Sequence, residues 1–115
     1  MFAAALVLAA CSKGLPEAGP ADERRAEAAR PTDALLAQKY ERACLTCHAS
    51  IISKAPLTGF AAHWQARLQQ GMPTLVAHVR DGFQGMPARG FCNDCNDQDF
   101  AALIVFMSQP QNSKE

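Results

Sequence analysis

The sequence predicts an all-α domain of about four helices, on three observations. Apolar side chains recur three and four residues apart in several stretches, and none shows clean period-two alternation. Glycine and proline fall between those stretches. The length of 115 residues suits one domain rather than two.

Taken in order, residues 1–10 (MFAAALVLAA) are an apolar run ending in small residues, as at the end of a secretory signal peptide. No Lys or Arg precedes the run, as in a leader shortened at its start. The stretch Leu8-Ala9-Ala10-Cys11-Ser12 resembles a bacterial lipobox, which implies cleavage before Cys11 and a lipid on its sulfur. Residues 12–31 hold almost no apolar side chain larger than Ala, apart from Leu15. Such a segment buries too little surface to offset its ordering entropy and reads as a flexible tether, with Asp22 to Arg30 suited to a transient helix. The folded domain is expected over 32–110, followed by a disordered tail at 111–115.

Within that domain, Thr32 or Asp33 is placed to cap a helix after Pro31. Leu36, Tyr40, Ala43, Cys44 and Cys47 continue it at helical spacing. A second helix is expected over Ala61–Gln70, stopped by Gly71. A third runs from about Pro73, well placed in a first turn, to Asp81, stopped by Gly82. The last begins at an Asn96 or Asp97 cap, lines Phe100, Leu103, Ile104 and Met107 along one face, and ends at Pro110.

Charge excludes some functions. Eleven basic and eleven acidic residues give zero net charge, so there is no electrostatic footprint for nucleic acid. No run of 18 or more apolar residues crosses a membrane as a helix. A domain this small often needs a staple or a cofactor. The five cysteines fall as Cys11 alone and the pairs Cys44/Cys47 and Cys92/Cys95, so one cysteine has a separate task.

Cys44-Leu45-Thr46-Cys47-His48 is C-x-x-C-H. This spacing suits covalent c-type haem: two thiols one turn apart reach the two vinyl groups, and the adjacent histidine falls to the iron. A sixth ligand is then required, and Met86, Met72, His63 and His78 are the candidates. Met86 is favoured, because the Gly82–Gly90 segment around it has the glycines and proline of a ligand-bearing loop. Met72 reads as a core or turn methionine, and the two histidines as surface or satisfied side chains. A His/Met pair favours the reduced state more than a His/His pair would. For Cys92 and Cys95, a disulfide is the default in an oxidising compartment. The alternative joins Cys44, Cys47, Cys92 and Cys95 in a structural zinc module, at a pair separation longer than zinc ribbons use.

From about Leu35 to Met107 the chain resembles class I cytochromes c, and among them the cytochrome c5 type of bacterial energy chains. Cys44, Cys47 and His48 match the attachment motif. Tyr40 matches the aromatic residue by which the N-terminal helix packs on the C-terminal one. Ala55-Pro56 matches an Ala-Pro segment whose proline carbonyl accepts from the proximal imidazole. Trp64 matches a tryptophan near a haem propionate, a helical position that reads equally as core, and Met86-Pro87-Ala88-Arg89-Gly90 matches the axial methionine segment, in which Arg89 reads as a solvated loop residue or a propionate partner. Cys92 and Cys95 match a disulfide-forming pair. Leu57 departs from the pattern, where a basic residue is frequent, which implies an altered docking edge. The resemblance implies one covalent haem c, no enzymatic activity, and outer-sphere electron transfer with partners such as a membrane oxidase or reductase. With the lipobox it implies a bacterial periplasmic location at a membrane. Phe83, Phe91, Phe100 and Phe106 are expected in the core. The sequence leaves the oligomeric state open.

Overall fold

The computed structural model describes residues 16–110. Residues 1–15 and 111–115, which include the signal-like run, Cys11 and the tail, lie outside the described residues. Among the described residues there are six α-helices: α1 Pro20–Ala28, α2 Ala34–Ala43, α3 Leu45–His48, α4 Ala61–Leu68, α5 Met72–Asp81 and α6 Asp97–Ser108. A 3-10 turn spans Ala88–Phe91, and the one extended pairing among the described residues is an isolated bridge between Phe83 and Met86.

Four of these elements follow the helices expected from the sequence, and their ends have local causes. Asp33 caps α2 by accepting from the Leu36 amide at 2.7 Å. Asn96 accepts from the Asp99 amide at 2.8 Å while the Asp99 carboxylate accepts from the Asn96 amide at 3.1 Å, a reciprocal box that starts α6. Gly71 (φ 90°, ψ 149°) and Gly82 (φ 88°, ψ 150°) bracket α5 in a region of backbone space open almost only to glycine.

The core lies where α6 packs on α2, α4 and α5. Tyr40, Trp64, Leu75, Val76, Phe100, Leu103, Ile104 and Met107 fill it together with Cys44, Cys92 and Cys95. Tyr40 meets Phe106 edge-on, ring centroids 4.9 Å apart. Its hydroxyl shares a 2.9 Å hydrogen bond with Thr58 Oγ1. Lys39 donates to Asp99 at 2.8 Å, so α2 and α6 are joined by an apolar and a charged contact.

Two features depart from the sequence reading. The transient helix expected within the tether is instead a docked one: α1 buries Ala26 completely, in a small cluster with Ala49 and Leu57. The contact uses small side chains, which hydropathy barely registers. Among the phenylalanines, Phe100 is buried, Phe106 packs at the core edge, and Phe83 and Phe91 are exposed.

Candidate functional site

The C-x-x-C-H motif straddles a helix junction. Cys44 ends α2, and the single turn of α3 carries Leu45 to His48. Both thiols are free; Cys44 is buried and Cys47 exposed. Burial, and next the neighbouring Cys47, push the Cys44 thiol up to about 11, so it is held protonated. His48 is buried, and burial moves its imidazole below the ordinary value, against the opposing pull of the Pro56 carbonyl.

His48 is held on several sides. Its Nδ1 donates to the Pro56 carbonyl at 2.8 Å, which leaves Nε2 for a metal. The Thr58 amide donates to the His48 carbonyl at 2.8 Å and closes the neck of the intervening loop. Trp64 stacks beside the imidazole, with ring centroids 6.0 Å apart at 28°. The Trp64 Nε1–H donates to the Leu57 carbonyl at 2.9 Å. Trp64 therefore fixes the proximal loop from within the core, the second of the two readings its helical position offered.

Leu57 is fully buried instead of forming a docking edge. Its amide donates to His63 Nδ1 at 3.0 Å, and its carbonyl holds Trp64, so both backbone groups orient rings around the site. Nothing in the hydropathy of a lone leucine signals that role. His63 is thereby satisfied within the loop, and His78 stacks on Phe83 with centroids 3.8 Å apart.

Met86 lies beyond α5 on a tight turn. The Phe83 amide donates to the Met86 carbonyl at 3.0 Å, and the Met86 amide returns a bond to Phe83 at 2.9 Å. Gln84 takes a φ of 50° to close the turn. A Cβ on Gly90 would stand 3.0 Å from Met86 Cε, so glycine there gives the methionine tip its room. Met86 and Cys44 line one apolar cleft, walled by Val79, Cys92, Phe100, Leu103 and Ile104. Met72 begins α5 and packs against the core, as its sequence reading as a core or turn methionine has it. Arg89 (φ 62°) donates to the Cys95 carbonyl and lies over the Phe100 ring, 5.3 Å from its centroid. It braces the loop to α6.

The sulfurs of Cys92 and Cys95 are in bonding contact, Cα to Cα 5.4 Å. This overturns the four-thiolate zinc reading: Cys92 and Cys95 are bonded to each other while Cys44 and Cys47 are free thiols, and no group of metal donors among the described residues joins the two pairs. The donor set fits haem instead. Two free thiols one turn apart adjoin a histidine with a fixed tautomer, and the nearby cleft is apolar and holds a soft thioether.

Comparison with known proteins agrees. Residues 31–107 match the family described as cytochrome c oxidase, cbb3-type, subunit III. The chain is 37% identical over 82 residues to cytochrome c5 of Azotobacter vinelandii, covering 70% of this chain and 94% of that protein. It is 34% identical over 76 residues to cytochrome c-555 of Prosthecochloris aestuarii, covering 59% of this chain and 77% of that one. A similar solved structure is a chain from the electron-transfer complex of nitrite reductase with cytochrome c. Its TM-score is 0.58 at 32% identity, over 68% of this chain and 95% of that chain. The chain belongs to the cytochrome c family: it is a class I cytochrome c of the c5 type, a carrier of single electrons on covalently bound haem c and not an enzyme.

Proposed function

We propose that His48 and Met86 are the axial ligands of the haem iron, and that the protein works in a bacterial periplasmic chain, held at a membrane by a lipid on Cys11. The observation that carries the ligation is the His48 ring, whose Nδ1–H is committed to Pro56 and whose other nitrogen is free to bind metal. Cys44 and Met86 on one apolar cleft supply the rest of the argument.

When bound, haem supplies an iron that gains and loses one electron. The protein residues hold the geometry constant through that change. Pro56 keeps the imidazole tautomer fixed, Trp64 limits its rotation, and the apolar wall keeps water and dielectric low around the site. No acid, base or substrate pocket is needed. The Cys92–Cys95 disulfide stiffens the segment between the Met86 loop and α6.

Redox enzymes are the partner class this reading favours, a membrane oxidase or reductase among them; the similar solved chain stands in a complex with nitrite reductase. Such interfaces are small and transient. A lipid on Cys11 raises the local concentration of the carrier beside a membrane partner without new contacts. A single acyl chain anchors weakly, so stable attachment takes more than one.

The ligation is tested with Met86→Ala. It removes the sulfur-to-iron charge-transfer band and leaves covalent haem intact, whereas Met72→Ala keeps the band. The reverse pattern, or rapid carbon monoxide binding by the ferrous wild-type protein, refutes Met86. The anchor is tested by labelled fatty acid, which is incorporated in the wild type and absent from Cys11→Ser.

A further inference from the structure

We infer that α1, which lies outside the matched family region at 31–107, is a buttress that sets the His48–Pro56 hydrogen bond and through it the reduction potential. The inference rests on His48 being an axial ligand.

The contacts of α1 fall on both sides of that bond. Ala26 is fully buried against Ala49, the residue after His48, and Leu57, the residue after Pro56. One methyl therefore packs on the two chain segments that present donor and acceptor. Glu23 adds a polar tie, its carboxylate accepting from the Ile51 amide at 2.6 Å within the same loop. Asp22 caps the first turn of the helix by accepting from the Gly19 amide at 2.8 Å, and beyond its last turn Arg30 bonds Glu41 of α2 at 2.8 Å. Arg30 also donates to the Glu27 carbonyl at 2.6 Å and the Ala29 carbonyl at 2.7 Å.

The loop spans 49–58. Thr58 amide to His48 carbonyl and His48 Nδ1–H to Pro56 carbonyl close its neck, its Leu57–Thr58 end is tied to His63, Trp64 and Tyr40, and α1 packs on its Ala49–Ile51 end. A loop of this kind opens locally unless something packs on it. A proximal imidazole that donates a strong hydrogen bond is a more basic ligand and favours the ferric iron. Loss of the buttress weakens that bond and raises the potential. Ala26 and Glu23 are thus positioning residues, acting through the loop and not on the iron.

The test uses the full-length holoprotein. Ala26→Glu forces a large charged side chain into the contact, and Glu23→Ala removes only the Ile51 tie. Asp33→Ala, which uncaps α2 away from the loop, controls for general destabilisation. Two quantities are read: the midpoint potential, and solvent exchange of the His48 Nδ1 proton in the reduced protein by NMR. Ala26→Glu is expected to raise the potential and to speed exchange about tenfold, the signature of a loop that opens more often. Glu23→Ala moves both in the same direction by less, and Asp33→Ala moves neither. If Ala26→Glu and Glu23→Ala lower thermal stability as Asp33→Ala does but leave potential and exchange unchanged, the inference is overturned. If Ala26→Glu fails to fold, Glu23→Ala decides alone by the same two readings. Absence of hyperfine-shifted His48 ring signals in oxidised wild type overturns the ligation, and this inference with it.

Discussion

Tyr40 and Thr58 share a hydrogen bond that has no access to water. The tyrosine is fully buried and Thr58 is 1% exposed, with their oxygens 2.9 Å apart. Every buried side-chain nitrogen and oxygen among the described residues has a partner, and for these two hydroxyls that partner is the other hydroxyl. Burial is also the leading cause that raises the Tyr40 phenol above its ordinary value, so it remains a neutral hydroxyl. Tyr40→Phe strands the Thr58 hydroxyl and is expected to cost about 1–3 kcal/mol. For a domain of this size that is a fall in Tm of about 5–20 °C. Thr58→Val strands the tyrosine hydroxyl in turn, at a similar cost. In the double variant both polar groups are gone and nothing is stranded. Its loss is therefore expected to be smaller than the sum of the singles by about 1–2 kcal/mol. Thermal unfolding followed at the Soret band measures all four proteins, while the oxidised spectrum stays constant because the two hydroxyls bond each other and not His48 or Met86. Strictly additive losses would refute the isolated-pair reasoning.

Three other outcomes follow from the same geometry. The Cys92→Ala/Cys95→Ala protein should lose about 2 kcal/mol in denaturant unfolding, the chain-entropy value for so short a loop, with its haem spectrum unchanged; haem loss would contradict this. Asp99 is held below the usual carboxylate value, first by the Lys39 hydrogen bond and next by the Asn96 amide. A carboxyl held low when folded contributes stability that is present above its unfolded pKa and is lost as pH falls. Asp99→Asn should therefore flatten the acid limb of the stability curve below about pH 4, and an unchanged limb would argue against the pairing. Gly82→Ala should cost about 1–3 kcal/mol and disturb the Met86 band, since φ is 88° and the new Cβ would stand 3.1 Å from the Ala88 backbone nitrogen. A wild-type melting curve with an intact band would sink that reading.

The parts legible in the sequence carry strong local signals. Asp33, Asn96, Gly71 and Gly82 mark helix ends because capping and positive φ are properties of single residues. The attachment motif is legible because its chemistry fixes its spacing. What escaped depends on backbone groups and small contacts. Leu57 acts through its amide and carbonyl, which any residue but proline offers. Trp64 gives its one donor to the Leu57 carbonyl, a backbone partner that its place in the sequence does not reveal. Ala26 docks α1 with one methyl, in a segment whose composition reads as a tether. The exposure of Phe91 follows from a φ of 62° in the turn that carries it, which no periodicity registers.

The amide of Gly59 donates to the Met107 carbonyl at 2.7 Å. One edge of the proximal loop is thus stitched to the last turn of α6, across most of the domain's sequence. A chain made from its N-terminus has exposed Cys44 and Cys47 well before Met107 exists. Until then the Gly59 amide lacks its acceptor, and α2 lacks the helix on which Tyr40 packs. Closure of this long-range contact comes late because the loop entropy must be met first. The two thiols therefore stay open to modification through synthesis, and the final helix seals the fold around whatever they have acquired.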